Sequence, residues 1–492
     1  MNKIFQNLLV ALALIWGVIT GWGADRYVSP AGGHLPPFTN WADAATNIQD
    51  AIEAALPLET IWVTNGIYAT GGKAKSGDLT NRVALDKPLV VRSINGPGVT
   101  IIQGAWHSGS TNGATAVRCA WLSSNSTLDG FTLQGGATRS QGDQTNMMSG
   151  GGSWCVSALA IVTNCVIRSN AAFAEGGGCF GGTIKNTVIE ENEANYGAGV
   201  SAGSFAYCTI RSNRGGHHGG GAMNSQLLNC GVVSNSANLG AGVVWSFLSG
   251  CIITGNSANN GAGAYGSQLT NCVVADNASS DTGAGLSGGT AVNCLVTRNR
   301  GSRGAGAWGS SLFNCTVVSN TATSSGGGVR GSSVYNSIIW YNTAPSGANT
   351  YEGTYAYTCT TPLPTGTGNM NAVPQLLPDG MHLAATSPCR GAGNAAAAIG
   401  NDIDGQPWSS PPSMGCDEVW QSLLSVFHPV GVMPTLAFES HAGVSYTVDY
   451  STNLSSPILW QPLQTILSTG SVTRFTDNAA TDHARFYRVR GP

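Results

Sequence analysis

The chain has 492 residues, of which 42% are hydrophobic and only 10% are charged, and its formal net charge is −3. This apolar content is sufficient for a large core and excludes a chain that is disordered throughout, because disorder requires low hydrophobicity. The slightly negative charge argues against nucleic acid as a partner, since nucleic acid requires a basic surface. It also provides no basic cluster for anionic lipid.

The first two dozen residues have the features of an export signal. Lys3 provides a positively charged n-region, and Leu8 to Ile19 form an apolar stretch that is shorter than a typical transmembrane helix. Small residues near position 24 suit a cleavage site, so residues 1–24 are predicted to be a signal peptide; a retained N-terminal anchor is the alternative. The mature chain is then expected to have no membrane span and to be secreted, on the cell surface or associated with an outer membrane.

The next segment is predicted to cap a larger β-structure. Asn40 can cap a helix from Trp41 to about Leu56, whose apolar stripe would cover the open strand edges of a first coil. Thr60 to Tyr68 is predicted to form a strand, a turn and a strand. Leu89 to Ile102 and Ser126 to Leu133 have the composition of early, irregular coils.

From residue 165 to residue 342 the chain repeats every 21 or 22 residues. The recurring asparagines are Asn170, Asn192, Asn213, Asn235, Asn256, Asn277, Asn299, Asn320 and Asn342. Five residues before them stand small side chains: Cys165, Thr187, Cys208, Cys230, Cys251, Cys272, Cys294, Cys315 and Ser337. Helical-hairpin repeats need a longer period, and the frequent Ile, Val and Thr favour strands. The repeat therefore predicts a parallel β-helix.

Stacked coils would lie about 4.8 Å apart, so equivalent residues form ladders. The Ile or Val two residues after each small residue is predicted to point inward. The Asn column is predicted to turn a corner and to bond its copies above and below. A glycine triplet precedes the small residue in most coils, and such glycines mark close approach of a ligand or of another backbone.

The thirteen cysteines divide into two groups. Cys208 to Cys315 are predicted to be small core residues, because stacked side chains with parallel Cβ vectors fit a disulfide torsion poorly. Outside the repeat, Cys359, Cys389 and Cys416 are better disulfide candidates. No cysteine or histidine cluster has zinc-site spacing, so no metal site is predicted.

Three domains follow from these patterns. After the signal peptide, residues 25–420 are predicted to form the β-helix, with regular coils over about 150–345 and an irregular tail over 343–420. Residues 421–492 contain five alternating stretches separated by Gly, Asn and Ser turns, which predicts a small C-terminal β-sandwich.

Several motifs carry a family resemblance. The order of the predicted signal, the helix, TIWVTNGIY, LDGFTLQGG and then many coils resembles the pectin-lyase-like right-handed parallel β-helix superfamily. The segments NEANYGAGV and SNSANLGAGV are similar to repeats of polymorphic outer membrane proteins, and DIDGQPW and MGCDE resemble the tail of "choice-of-anchor" proteins. The resemblance implies a right-handed β-helix. It implies no single activity, because the superfamily includes lyases, hydrolases, epimerases and adhesins.

The strongest catalytic candidates stand in the turn before the glycine triplet. Glu175, Tyr196 and His218 occupy the same position on three successive coils. A histidine, a tyrosine and a carboxylate could serve as base, acid and orienting group in proton abstraction; the alternative is an ordinary solvated turn. The repeats lack the clustered carboxylates of a calcium-dependent lyase, so no cofactor is predicted, and Ca²⁺ is expected only if the chain is such a lyase.

The candidate binding residues follow the glycine triplets. Phe180, Tyr265, Trp308 and Arg330 occupy one outward position, where aromatic faces could pack on the C–H groups of sugars. The alternative is that the loop from Gly135 to Gly152 covers this strip. The sequence therefore predicts a protein that binds extracellular polysaccharide, or mediates adhesion, through the solenoid face. The alternative function is a pectate-lyase-like enzyme that cleaves acidic glycan by β-elimination; such a lyase is favoured over a glycoside hydrolase.

Overall fold

The structure is a computed structural model that describes residues 24–384, 386–418, 421–424, 434–440, 443–453, 459–470, 472–479 and 485–490. The chain divides into two compact units after Gln226. The predicted signal peptide lies, apart from residue 24, outside the described residues. Within the described ranges, no helix combines the length and the apolar character needed to cross a bilayer.

The single α-helix of the described residues, α1, comprises Ile48–Ala54 and is shorter than the sequence suggested. Its N-cap is Asn47, whose side chain accepts a hydrogen bond from the Asp50 amide. The predicted start at Trp41 is wrong because the preceding backbone pairs with the first strand instead. The amide of Ala45 donates to Tyr27, and its carbonyl accepts from Ser29. The apolar face of the helix is buried, as predicted.

Each unit winds through three parallel sheets, which we call sheets A, B and C. In the first unit, sheet A contains Arg26–Val28, Thr60–Val63, Val90–Ser93, Thr127–Asp129, Ile161–Thr163, Thr183–Lys185 and Ser204–Ala206. Sheet B contains Gly66–Tyr68, Thr100–Gln103, Thr132–Gln134, Val166–Arg168, Val188–Glu190 and Thr209–Arg211. Sheet C contains Lys73–Ser76, Leu79–Leu85, Val117–Leu122, Ser153–Cys155, Cys179–Phe180, Val200–Ser201 and Ala222–Met223. Only its first pair, Lys73–Ser76 with Leu79–Leu85, is antiparallel.

The second unit repeats this arrangement. Sheet A contains Phe247–Ser249, Gln268–Thr270, Thr290–Val292, Ser311–Phe313, Ser333–Tyr335 and Thr354–Ala356. Sheet B contains Gly231–Val233, Ile252–Thr254, Val273–Ala275, Leu295–Thr297, Thr316–Val318, Ile338–Trp340 and Cys359–Thr360. Sheet C contains Val243–Val244, Ala264–Tyr265, Leu286–Ser287, Ala307–Trp308, Val329–Arg330 and Thr350–Tyr351. The strand Gln226–Leu228 contains the division between the units. The predicted parallel β-helix is confirmed.

Between sheets B and C the turn itself forms short parallel ladders, which we call the turn ladders. They contain Glu193–Tyr196 and Arg214–His218 in the first unit. In the second unit they contain Ser257–Asn260, Ala278–Thr282, Arg300–Arg303 and Thr321–Ser325. All length variation between coils falls in this region, which therefore lies at the surface.

Single left-handed residues make the corners of each coil. Asn229 (φ 51°) precedes Cys230, and Ser234 (φ 53°) precedes Asn235. After each bend the small residue or the asparagine points inward and is buried. The branched residue of sheet B between the two corners, such as Ile253, is fully buried, as predicted.

The asparagine column forms a continuous hydrogen-bonded ladder within each unit. In the second unit, Asn277 Nδ2 donates to Asn299 Oδ1 and to the Ile253 carbonyl, both at 3.0 Å. Its Oδ1 accepts from the Asn256 amide at 3.0 Å and from Asn256 Nδ2 at 2.9 Å. The predicted corner role is confirmed, because each side chain satisfies backbone and side-chain groups of its neighbours.

The cysteines of this column are buried and form no disulfide, as predicted, and they also have a role at the corner. The Cys251 amide donates to Cys272 Sγ at 3.4 Å, and Cys272 Sγ donates to the Thr270 carbonyl at 3.2 Å. Where Ser337 replaces cysteine, its hydroxyl accepts from the Cys315 amide at 3.0 Å. The column therefore requires a small side chain that can form hydrogen bonds.

The irregular tail packs on the outside of sheet B in the second unit. Leu295, Val318 and Ile338 of that sheet share a core with the tail residues Leu383 and Met414. Cys359, Cys389 and Cys416 lie in the same core and are unpaired, so the structure does not contain the disulfide for which they were candidates. The tail also contains a short 3₁₀ helix, Ala395–Ala397.

The C-terminal residues form two antiparallel sheets. One contains Gln421–Leu424, Phe486–Arg490, Ser445–Ser451 and Gln461–Leu467, in that order; the other pairs Thr435–Glu439 with Val472–Thr476. Leu436 and Phe475 from the second sheet share a core with Val448, Tyr487 and Val489 from the first. This arrangement confirms the predicted small β-sandwich.

Candidate functional site

The turn ladder of the first unit brings two of the three catalytic candidates together. Tyr196 pairs with His218 across adjacent coils, and their ring centroids are 5.5 Å apart. Tyr196 also stacks on His217 at 5.6 Å. Burial, together with the neighbouring His217, lowers the pKa of His218 and so favours the uncharged form of this imidazole.

Glu175 is adjacent in the ladder but has a different orientation. Its backbone bridges to Tyr196, as the sequence register predicts. Its carboxylate, however, accepts a hydrogen bond from Ser201 Oγ of sheet C at 2.7 Å. The carboxylate therefore links the turn to sheet C.

The outward column of sheet C in the first unit is an aromatic ladder. Trp121, Trp154 and Phe180 are register partners on three successive coils. The first two rings are 6.0 Å apart with 9° between their planes, and the next two are 6.2 Å apart with 10°. Lys75 Nζ lies 5.3 Å from the Trp121 ring centroid. We call these four residues the aromatic surface.

Only Phe180 of the aromatic surface was predicted from the sequence. A signal for Trp154 was present, because Gly150, Gly151 and Gly152 precede it in the same order as the glycine triplet before Phe180. The loop from Gly135 to Gly152 does cover part of the column. Its Thr145 carbonyl accepts from Trp154 Nε1 at 2.9 Å, and Trp154 is only 8% exposed. Trp121 and Phe180 remain half-buried.

The other three binding candidates lie on the equivalent column of the second unit. Tyr265, Trp308 and Arg330 are half-buried, and Trp308 pairs with Arg330 in the strand register. The Arg330 guanidinium lies 4.9 Å from the Tyr351 ring centroid, and its Nη1 donates to Ser325 Oγ at 2.7 Å. This column therefore combines aromatic and cationic side chains.

The glycine triplets are explained by contacts within the protein. A Cβ on Gly178 would lie 2.5 Å from the Gly199 carbonyl oxygen, which belongs to the next coil. A Cβ on Gly176 would lie 2.3 Å from the Cys179 carbonyl oxygen, and Gly176 also has a positive φ of 63°. Of the two readings of these glycines, close approach of another backbone accounts for them, because no side chain fits between the coils.

A charged cluster in the tail has the geometry of an ion-pair network. His382 Nδ1 is 2.5 Å from Asp379 Oδ2, and its Nε2 is 2.8 Å from Asp404 Oδ2. Burial opposes the imidazolium charge, but the two carboxylates raise the pKa of His382 to about 10. Burial raises the pKa of Asp417 to about 7 and that of Asp402 to about 6.

The same cluster is the one place among the described residues where metal-ligating atoms converge. One ligand atom each from His382, Asp404 and Asp417 lies within 4.8 Å of the others. A histidine binds metal through a deprotonated nitrogen, whereas both nitrogens of His382 are hydrogen-bonded to carboxylates. His382 and its carboxylate partners are therefore better suited to an ion-pair network around a protonated imidazole than to metal binding.

The tail cluster predicts a decrease in stability with increasing pH. Because the folded pKa of His382 is raised, its stabilisation is complete below about pH 6.5 and is lost as the pH approaches 10. The raised pKa values of Asp402 and Asp417 act in the same direction between about pH 4 and 7. Calorimetric melting between pH 4 and 10 should therefore give a higher Tm at the acidic end. His382→Gln should remove the part of the Tm decrease that occurs above pH 7. If Tm still falls equally at alkaline pH in this variant, the decrease is not due to His382.

Comparisons with known proteins gave matches to solved structures only, at low sequence identity. No protein-family model matches the chain, and no curated protein matches it. Among solved structures, the pectate lyase Pel9A has 12% identity and a TM-score of 0.37, covering 80% of this chain and 96% of its own. The complex of XylC with xylose has 9% identity and a TM-score of 0.36, covering 80% and 98%. The A-module of mannuronan C-5 epimerase AlgE4 from Azotobacter vinelandii has 14% identity and a TM-score of 0.30, covering 61% and 89%.

The architecture itself agrees with the resemblance noted in the sequence. Three parallel sheets with one strand each per coil, stacked in register, form a parallel β-helix. The details of the repeat and tail resemblances have no counterpart in these comparisons. The chain is a parallel β-helix protein with a small antiparallel C-terminal module.

Proposed function

We propose that the chain is an exported protein that binds extracellular polysaccharide through the outward column of sheet C. The observation that carries this proposal is the aromatic surface, with nearly parallel rings on three successive coils. Sugar rings present C–H groups that pack on aromatic side chains, and Trp121 and Phe180, which are half-buried on either side of Trp154, are the rings that a glycan can reach. The predicted signal peptide agrees with an extracellular ligand.

The charge at this surface supports a binding role. Lys75 stands over Trp121 and also approaches Asp86 Oδ2 at 3.2 Å, so a cation is held beside the aromatic rings. Hydroxyl groups of a glycan can accept hydrogen bonds from such an ammonium group. If the bound polysaccharide is on the surface of a neighbouring cell, the same binding would mediate adhesion to that cell.

Removing single rings tests the proposal. Trp121→Ala and Phe180→Ala should each reduce retention on a polysaccharide that binds the parent protein by about tenfold, which corresponds to the loss of about 1.4 kcal/mol of ring contact. Retention is measured by affinity electrophoresis across a panel of neutral and acidic polysaccharides. Trp154 is unsuitable for this test because it is buried against the loop.

Matched controls are available at other exposed rings. Trp41 is 42% exposed and Phe247 is 56% exposed, and neither belongs to the sheet C column. Trp41→Ala and Phe247→Ala should retain parental binding. Equal losses in the controls, or no retention of the parent on any polysaccharide, would contradict the proposal.

A lyase is the alternative, and a single observation favours it. Tyr196 and His218 are close together, and the lowered pKa of His218 favours the uncharged imidazole that a base for proton abstraction requires. Against it, the Glu175 carboxylate is hydrogen-bonded to Ser201 of sheet C. The polysaccharide binder therefore remains the preferred function.

The alternative has its own test. A lyase would release unsaturated products that absorb in the ultraviolet when the protein is incubated with acidic polysaccharide, with and without Ca²⁺. If such activity exists, His218→Ala should lower kcat by at least about 100-fold. Turnover that survives this change would remove His218 from the mechanism.

A further inference from the structure

A groove with a volume of about 290 Å³ lies beside the turn ladder of the first unit. Its lining includes the buried alanines Ala172 and Ala194, and the 40%-exposed ring of Phe173 stands beside them. The Phe173 amide donates to Thr138 Oγ1 at 3.0 Å, which fixes the backbone at this ring. The groove is at the small end of ligand pockets, so it suits a ligand of one ring.

Two opposite charges line this groove without pairing. Glu193 and Arg214 are register partners on adjacent coils, and both are exposed. Neither side chain makes an ion pair or a hydrogen bond within the part of the chain that the structure describes. The distance between the coils does not explain why Glu193 and Arg214 form no ion pair, because Arg211 Nε donates to Glu190 Oε2 at 2.7 Å across the same two coils. The carboxylate and the guanidinium are both available to a ligand.

Asn195 adds an oriented amide to the lining of this groove. Its Nδ2 donates to the Phe173 carbonyl at 2.7 Å, so its side chain is fixed against the aromatic residue. The next coil carries Gly216 at this point, where a Cβ would lie 2.7 Å from Asn195 Oδ1. The missing side chain keeps the groove open at this amide.

We propose that this groove binds one neutral sugar residue, with its ring against Phe173 and the alanines and its hydroxyls on Glu193 and Arg214. A hydroxyl group can donate to a carboxylate and accept from a guanidinium, so one polyhydroxyl ring satisfies both. Glu193 and Arg214 together give the groove no net charge, so a charged sugar that is attracted to one of them is repelled by the other. This inference deepens the proposed function and rests on it, because it supplies the sugar class.

The test uses free monosaccharides and the full mature chain. Saturation-transfer NMR and calorimetric titration with glucose, galactose, mannose and xylose are compared with glucuronic and galacturonic acid. At least one neutral sugar should bind, and Glu193→Gln and Arg214→Gln should each weaken its binding about tenfold. Phe173→Ala should weaken it further. Glu191→Gln is the matched control, since Glu191 is an exposed carboxylate two residues away that does not line the groove, and it should bind as the parent does.

The outcomes separate this inference from the proposed function. Binding of the uronic acids alone, or no binding of any monosaccharide, would overturn the neutral-sugar site even if the protein is still retained on polysaccharide. Neutral-sugar binding that Glu193→Gln and Arg214→Gln leave unchanged would also overturn it. Neutral-sugar binding that requires both residues supports the groove. If retention is then insensitive to Trp121→Ala and Phe180→Ala, only the aromatic surface is wrong.

Discussion

Ile253→Asp should destabilise the second unit by on the order of 5 kcal/mol, because it buries an unpaired charge. Ile253 is fully buried in sheet B, between Val232 of the preceding coil and Val274 of the next. A carboxylate at this point would have apolar neighbours on both sides. We expect Tm to fall by about 10 °C or more, measured by circular dichroism and calorimetry, or the protein to be recovered unfolded.

The adjacent residue provides the control. Ile252 is in the same strand but is 54% exposed, since successive side chains of a strand point to opposite faces. Ile252→Asp should change stability by no more than about 0.5 kcal/mol. If Ile253→Asp melted like the parent, or if Ile252→Asp were the more harmful change, the inward assignment of the whole column would be wrong.

Asn277→Ala should be the second most harmful change, with a loss of roughly 3–5 kcal/mol. It would remove the acceptor of the Asn256 amide and of Asn256 Nδ2. It would also leave the Ile253 carbonyl and Asn299 Oδ1 without the donor that Asn277 supplies. All these groups are buried at the corner, where water cannot replace the lost partner without opening the coils.

Hydrogen exchange separates this effect from a general loss of packing. The Asn256 amide loses its acceptor directly, so peptides from residues 250–280 should exchange faster than peptides from distant coils. Asn259→Ala is the control, because Asn259 is exposed and accepts only from Ser280 among the described side chains. Equal effects of the two changes would show that the ladder is not stabilising.

The interior of the coil was predictable because it repeats. The same residue types recur at the same offsets, so the alternation of strands identified Ile253 and its equivalents as buried. The helix start was not predictable in this way. Asn40 and Asn47 are both acceptable N-caps, and the choice depended on Ala45 pairing with the first strand, a contact that local sequence does not reveal.

For the candidate site, the sequence predicted which residues occupy equivalent positions on neighbouring coils, but it did not predict the contacts of their side chains. The period placed Glu175, Tyr196 and His218 on neighbouring coils, and it placed Phe180 on an outward column. It did not reveal that Glu175 bonds to Ser201, because rotamers depend on neighbours about 21 to 26 residues away in the sequence.

By itself, the sequence determined the coil length, the inward faces and the corner residues of this protein. In a stacked fold every coil has the same local arrangement, so the same residue types recur at the buried and corner positions of each repeat. Only the tertiary structure decided which outward side chains meet. It placed Trp154 between Trp121 and Phe180, and it left the Glu193 and Arg214 side chains without an ion pair among the described residues. Surface side chains differ from coil to coil, and their contacts are set by the packing of neighbouring coils and loops.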